Sequence, residues 1–275
     1  MAELQLGEAI ALGLLHGPAE LLPISSSGHV TVVPWLLGWE YPDVDAELRK
    51  SFEVMLHAGT AAALIFALRS EVADSLRTGT PRLAILIGLS FMPPAAAGYA
   101  FEGPIERHLG RPGPVAAALA AGGLALAWAD RSPSRRDSAE ATGADALWLG
   151  VAQACALVPG VSRNGATLTA ARRRGFTRAS AQLLSRHVAL PIIAAATARR
   201  LARLHAREVP PAARKPLAGG AAASFASTLA AVRAARRIGP DRTLLPYAAY
   251  RLAVSGLIAA RLARLRSARS STMGP

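Results

Sequence analysis

Two polar clusters hold the residues of this sequence that are best suited to chemistry, and each cluster contains or closely follows a proline. The first runs from Glu20 through three consecutive serines to His29, and the second is 162–164, with Arg163 at its centre. Arginine presents a planar fork that matches the oxygens of a phosphate group, and histidine can move a proton near neutral pH. Together with a carboxylate and several hydroxyls, these side chains predict an anion site with acid–base capacity.

Each side chain of the two clusters has an expected role. Arg163 would hold a diphosphate and stabilise charge as its bond breaks, and Glu20 would bind a bridging divalent cation or orient the attacking group. Ser26 and His29 are the two candidates for the attacking group, and the sequence leaves that choice open. The residues expected to bind the substrate through hydroxyl, amide or backbone N–H groups are Ser25, Ser27, Gly28, Ser162, Asn164 and Gly165.

A weak internal repeat indicates how the two clusters are positioned. The stretch Gly13–Gly28 resembles Gly150–Gly165, because each is an apolar half-segment broken by a proline and followed by a polar turn and a new helix start. The amino end of a half-helix attracts anions through its free N–H groups and its dipole. Paired broken segments of this kind point to a binding site in a membrane protein. The simpler alternative is that Pro23 and Pro159 only kink two ordinary helices.

The distribution of apolar residues predicts a membrane protein. The chain has 275 residues, of which 52% are hydrophobic and 18% are charged. Four apolar blocks lack charge and approach the ~20 residues of a spanning helix. Four further apolar blocks contain isolated ionisable residues. The uncharged blocks are 83–101, 113–129, 146–161 and 216–232. We therefore predict an all-α, polytopic membrane protein with about six transmembrane helices and shorter half-helices.

Charge and cysteine content exclude several other classes of protein. The formal net charge is +13, and the basic residues lie mostly between the apolar blocks, as is typical of cytoplasmic loops in contact with anionic lipid. Aromatic residues make up only 5% of the chain, too few for the stacking surfaces of a nucleic-acid-binding module, so we expect no nucleic-acid partner. The single cysteine, Cys155, excludes an internal disulfide framework and a cysteine-based metal site.

Four segments resemble motifs of one family. They are GPAELLPISSSGH at 17–29, SFEVMLHAG at 51–59, VPGVSRNGAT at 158–167 and PYAAYR at 246–251. The first and third are the specific ones, and together the four resemble the bacterial undecaprenyl-diphosphatase family, also known as the bacitracin-resistance type. The resemblance extends over nearly the whole chain, in the family's order.

The resemblance implies a function and a set of site residues. A member of this family would hydrolyse undecaprenyl diphosphate to undecaprenyl phosphate and inorganic phosphate, which recycles the carrier lipid for peptidoglycan synthesis and confers resistance to bacitracin. It would use a divalent cation, Mg²⁺ or Ca²⁺. The motif roles fall on Glu20, Ser25, Ser26, His29, Ser162 and Arg163.

The resemblance also implies an architecture and a location. The chain would form one integral membrane domain over 1–275, with two inverted repeats containing re-entrant helices at about 1–130 and 145–270, joined by a linker at 131–144. It would be a multi-pass protein of the cell's inner, or plasma, membrane, with the lipid as its partner and a homodimer left open.

The sequence departs from the family's motifs at three positions. His16 stands in place of a glutamate, His57 in place of a glutamine and Asn164 in place of a serine. With one carboxylate lost, His16 is expected to replace it, either as the second ligand, beside Glu20, for a cation or as a base. Two other readings stay open, a polyprenyl-phosphate flippase or transporter and a catalytically weakened paralogue that binds the lipid. A carrier has little use for Glu20, Ser26 and His29 together.

Overall fold

The backbone is helical almost throughout. The computed structural model describes residues 2–70, 77, 80–205, 209–239 and 241–272. In that part of the chain, extended pairing is limited to two isolated bridges, between Ala2 and Val44 and between Arg136 and Phe176. The prediction of an all-α fold is therefore confirmed.

The helices fall into two series separated by the segment 131–142. The first series is α1 (Leu6–Leu21), α2 (Ser26–Leu37), α3 (Ala46–Ala67), α4 (Pro81–Leu109) and α5 (Pro112–Asp130), with a 3-10 turn at Tyr41–Asp43. The second series is α6 (Gly143–Cys155), α7 (Arg163–Arg173), α8 (Arg178–His205), α9 (Pro211–Ile238) and α10 (Leu245–Thr272), preceded by a 3-10 turn at Ser138–Glu140. The pairs α1–α2 and α6–α7 share one layout, a helix that stops at a proline turn and a short helix that restarts.

Two of the described helices are long and apolar enough to cross a membrane. They are Pro81–Phe101 within α4 and Pro112–Asp130, which is α5. The other long helices carry ionisable residues along their length, such as Arg186 and Arg199 in α8, and charged side chains lower the apolar character of a window. The expected total of about six spans stays a prediction, as do the two inverted repeats.

Glycines allow α1 and α3 to approach α9 at backbone distance. A Cβ atom added to Gly13 would lie 2.4 Å from the carbonyl oxygen of Gly220, and one added to Gly59 would lie 2.2 Å from that of Ala221. Gly17, one turn after Gly13, meets the backbone of α9 in the same way. Small residues four apart permit such close packing of helices. The contact brings the polar side chains of α1 and α3 together.

A buried carboxylate joins the segment 131–142 to the helices around it. Asp145, in the first turn of α6 and outside both apolar spans, accepts hydrogen bonds from Arg136 Nη2 at 2.7 Å and Arg174 Nε at 2.6 Å. Burial by itself would raise the pKa of Asp145, but the hydrogen bonds from Arg136, Thr142 and Arg174 outweigh it and hold the pKa well below its ordinary value. The ionised carboxylate therefore fixes the start of α6.

Arg251 ties the two broken segments to each other. Its side chain is fully buried at 1% exposure. The guanidinium donates to backbone carbonyl oxygens of both proline turns and of α5, namely those of Pro23 (3.2 Å), Gly160 (3.0 Å), Leu119 (3.3 Å) and Ala118 (3.4 Å). Among the described residues no carboxylate pairs with it. Its N–H groups satisfy carbonyls that an interrupted helix leaves exposed.

We expect Gly122→Ala to destabilise the fold by crowding this guanidinium. The new Cβ would lie 2.0 Å from Arg251 Nη2, and the side chain cannot move without losing its carbonyl partners. Overpacking of this kind costs about 1–3 kcal/mol. Thermal unfolding of detergent-solubilised protein would show a lower apparent melting temperature.

Gly256→Ala is the matched control, because nothing lies within 4 Å of a Cβ at that helical position. Alanine is the better helix former by roughly 1 kcal/mol, so this variant should melt at or slightly above the wild-type temperature. If the two variants had the same apparent melting temperature, Arg251 would not be held tightly in place.

Candidate active site

The two predicted turns share one capping contact. Ser25 has a φ of 78° in the left-handed region, and its Oγ accepts a hydrogen bond from the N–H of Gly28 at 3.3 Å. Ser162 precedes α7, and its Oγ accepts from the N–H of Gly165 at 3.1 Å. Each serine therefore caps the helix that restarts after it. A helix start has free N–H groups beyond the one that the cap satisfies.

The turns lie directly against each other. A Cβ atom on Gly28 would be 3.2 Å from the Cα of Gly160, so the contact leaves little room for a side chain. The side-chain amide of Asn164 donates to the carbonyl oxygen of Leu21, which crosses from the second turn to the end of α1. The two amino ends of α2 and α7 thus share one small region, as the internal repeat predicts.

Glu20 joins the two clusters. Its Oε1 accepts a hydrogen bond from Arg163 Nη2, and its Oε2 accepts one from the hydroxyl of Ser26. The carboxylate is only 8% exposed, and an unpaired charge at such a position would cost several kcal/mol. The ion pair offsets that cost, while the hydrogen bond directs the Ser26 proton towards a base.

A cavity of about 220 Å³ lies beside this group. Its wall contains the predicted residues Glu20, Ser25, Ser26, Ser27, Ser162, Arg163 and Asn164. Much of the remaining wall is apolar, and α8 contributes Ile192, Ile193 and Ala196 to it. The cavity therefore places hydroxyls, a guanidinium and a carboxylate next to a hydrocarbon surface.

His29 lies behind the wall of this cavity. Its Nδ1 is 2.6 Å from the carbonyl oxygen of Ser25, and its Nε2 is 2.7 Å from the hydroxyl of Tyr250. A carbonyl oxygen only accepts hydrogen bonds, so Nδ1 carries the proton and Nε2 of the neutral ring accepts from Tyr250. The imidazole holds the backbone at Ser25. Gly28 and Gly165 also lie outside the wall, where they form the contact between the turns.

A second histidine accompanies His16 next to Glu20. His16 is buried on α1 one turn before Glu20, and His57 comes from α3, with ring centroids 4.6 Å apart and the planes at 88°. One ligand atom from each of His16, Glu20 and His57 lies within 4.8 Å of the others. The sequence predicts the first two of these as cation ligands. It gives no signal for His57 beyond its departure from the family motif, because the pairing of α1 with α3 depends on the fold.

Comparison with known proteins gives a consistent result. Residues 9–257 match the family described as bacitracin resistance protein BacA. An undecaprenyl-diphosphatase of Geobacter sulfurreducens is 39% identical over 269 residues, which cover 92% of this chain and 97% of that protein. An undecaprenyl-diphosphatase of Pelobacter propionicus is 36% identical over 264 residues, covering 91% and 94%. The resemblance seen in the motifs is confirmed, and the chain belongs to the bacitracin resistance protein BacA family.

Proposed function

We propose that this protein is a multi-pass membrane phosphatase that hydrolyses undecaprenyl diphosphate to undecaprenyl phosphate and inorganic phosphate. The observation that supports it most directly is the arrangement of Arg163, Glu20 and Ser26 where two half-helices begin. The activity named for the relatives described above is the same. Such a reaction would return the carrier lipid to peptidoglycan synthesis and reduce sensitivity to bacitracin.

The site offers two kinds of donor to a diphosphate. The amino ends of α2 and α7 present backbone N–H groups, and the helix dipoles favour negative charge at both. Arg163 has five N–H donors and uses Nη2 for Glu20, so it can hold phosphate oxygens without leaving the carboxylate. Ser27 and Ser162 add hydroxyls to the same cavity. This density of anion donors supports a diphosphate as the substrate.

Ser26 is the better placed of the two predicted attacking groups. Its hydroxyl already donates to Glu20, whereas both nitrogens of His29 are engaged behind the cavity wall. Ser26 Oγ would bond to the terminal phosphorus as Glu20 takes its proton, and the bond from that phosphorus to the bridging oxygen would break to release undecaprenyl phosphate. Water would then cleave the Oγ–P bond, returning a proton to Ser26 and releasing inorganic phosphate.

A membrane setting fits the remaining surfaces. The apolar side chains of α8 in the cavity wall suit the first isoprene units of the lipid. The two apolar helices α4 and α5 are long enough to span a bilayer. We expect the protein in the inner, or plasma, membrane, with the lipid tail along its helices.

The divalent cation that the family resemblance implies meets an unusual set of donors here. Mg²⁺ and Ca²⁺ prefer several oxygen ligands, whereas the described residues around Glu20 contribute one carboxylate and two imidazoles. This set does not fit Mg²⁺ or Ca²⁺ well. The proposed reaction therefore depends on the side chains of the chain alone.

Replacement of Arg163 tests the proposed activity. Arg163→Ala should lower phosphate release from undecaprenyl diphosphate by about 10²-fold or more, since it removes the donor that meets the developing charge. Arg163→Lys keeps the charge opposite Glu20 but loses the planar fork. Its rate of phosphate release should lie between those of the wild type and Arg163→Ala. The assay uses detergent-purified protein, with divalent cations added singly and with a chelator.

Arg233→Ala is the matched control for loss of an arginine, because Arg233 is exposed on α9. It should retain wild-type activity. Absence of phosphate release from the wild-type protein under every cation condition, with lipid still bound through Arg163, would favour a carrier.

Replacement of Ser26 separates a phosphatase that uses this hydroxyl from a lipid carrier. Ser26→Ala should lower the turnover number by about 10³-fold or more because the attacking oxygen is lost. Ser27→Ala removes a neighbouring hydroxyl from the same wall and should change the rate less than tenfold. Single-turnover phosphate release measures both. A Ser26→Ala enzyme that kept a tenth of the activity would assign the attack to water.

A further inference from the structure

Two histidines and a glutamate form a compact cluster beside the cavity of the proposed active site. One ligand atom of each of His16, Glu20 and His57 lies within 4.8 Å of the other two. His16 and Glu20 are four residues apart on one face of α1, and His57 meets them from α3. Ligands at about 2.0–2.2 Å from a zinc ion lie roughly 3.4 Å apart. The three ligand atoms therefore lie close to the separation that one shared ion requires.

A chain of hydrogen bonds fixes which nitrogen of His16 carries a proton. The carbonyl oxygen of Leu56 accepts from Ser224 Oγ at 2.8 Å, and Ser224 Oγ lies 2.7 Å from Thr60 Oγ1. Thr60 Oγ1 lies 2.9 Å from His16 Nδ1. Because the carbonyl can only accept, each hydroxyl donates towards Leu56 and Nδ1 must be the donor at the other end. The lone pair of His16 is therefore on Nε2.

This arrangement is that of a prepared metal ligand. Ligating histidines commonly donate their second ring N–H to a neighbouring acceptor, which fixes the tautomer and the ring orientation. Here the acceptor, Thr60, is held by a network that joins α3 to α9. The network holds the ring of His16 in one orientation beside Glu20 and His57.

We propose that His16, His57 and Glu20 bind a first-row transition-metal ion of the Zn²⁺ type in preference to Mg²⁺ or Ca²⁺. Imidazole suits Zn²⁺ and its neighbours, whereas Mg²⁺ and Ca²⁺ favour oxygen donors. Two histidines with one glutamate make a ligand set found in zinc enzymes that leave a position open. The statement that this position serves the diphosphate rests on the proposed function. The metal site itself does not.

The location of the ligands gives an ion access to the cavity. Glu20 and His57 both line it, while His16 lies behind them. Glu20 keeps lone pairs for a metal although its oxygens accept from Arg163 and Ser26, because each carboxylate oxygen has more than one acceptor position. When bound, the ion would neutralise charge on phosphate oxygens beside Arg163.

Direct measurement of metal binding tests the proposal without relying on activity. Chelator-stripped protein in detergent is titrated calorimetrically with Zn²⁺ and with Mg²⁺, bound metal is counted by mass spectrometry, and Co²⁺ is used as a spectroscopic probe. We expect about one Zn²⁺ per chain, bound on the order of 100-fold or more tighter than Mg²⁺. His16→Ala and His57→Ala should each weaken Zn²⁺ binding at least tenfold and alter the Co²⁺ spectrum.

Three further variants make the result specific. His108→Ala, at an exposed histidine of α4, should bind Zn²⁺ like the wild type. Thr60→Val keeps all three ligands but removes the acceptor for Nδ1, and it should weaken Zn²⁺ binding about 10–100-fold. The double variant His16→Glu with His57→Gln supplies only oxygen ligands if the amide binds through its oxygen, and it should lose the preference for Zn²⁺ over Mg²⁺. Thermal unfolding without metal confirms that each variant is folded.

Binding of less than a tenth of a Zn²⁺ per chain would overturn the proposal, as would Zn²⁺ affinity unchanged in both His16→Ala and His57→Ala. Zn²⁺ bound through these residues without phosphate release would refute the proposed function and leave the metal site standing. Phosphate release supported by Mg²⁺ alone, with no Zn²⁺ bound, would refute the metal site and leave the proposed function standing.

Discussion

An interrupted helix leaves carbonyl and N–H groups without partners, and this chain interrupts two helices side by side. The carbonyl of Pro23 ends one segment and that of Gly160 ends the other, and both accept from the buried guanidinium of Arg251. Within the hydrocarbon core of a bilayer no water is present to take that role. The relative position of Ser25–Ser27 and Ser162–Asn164 therefore depends on a residue of α10 that touches neither cluster's reactive groups.

The second constraint on the site is the closeness of the helix backbones. Gly13 and Gly17 on α1 and Gly59 on α3 let both helices rest on α9 without side chains between them. At that distance the next polar residues along the same helices meet, which places His57 against His16 and Glu20. The close packing of small residues therefore also brings the polar side chains of the cluster together.

Much of the site could be predicted from the sequence because its signals are local. A proline, a small polar cluster and a glycine specify a broken helix with a capped restart, and the repetition of that pattern pairs Ser25 with Ser162. The same correspondence sets Ser26 opposite Arg163, but the contact of Arg163 with Glu20 is known only from the structure. The helical class follows from composition.

Other features depend on contacts between distant parts of the chain. Nothing near His57 in the sequence indicates that it faces His16, and nothing near Arg251 shows that its partners are carbonyls of two turns. His29 was expected at the reacting group, but its nitrogens contact Ser25 and Tyr250, and Tyr250 is 221 positions away. The number of membrane spans also differs from the number of described helices, because charged residues along helices such as α8 lower their apolar character.

The free site balances its own charge, and this explains how a buried anion site can be stable before its ligand arrives. Glu20 and Arg163 neutralise each other, and Ser26 satisfies the second carboxylate oxygen. A diphosphate does not have to break that pair, because the guanidinium has further N–H groups and the two helix starts have their own. Binding then adds hydrogen bonds to donors that are already oriented, with little reorganisation of the protein. The carboxylate would remain next to the Ser26 hydroxyl, as the proposed proton transfer from that hydroxyl requires.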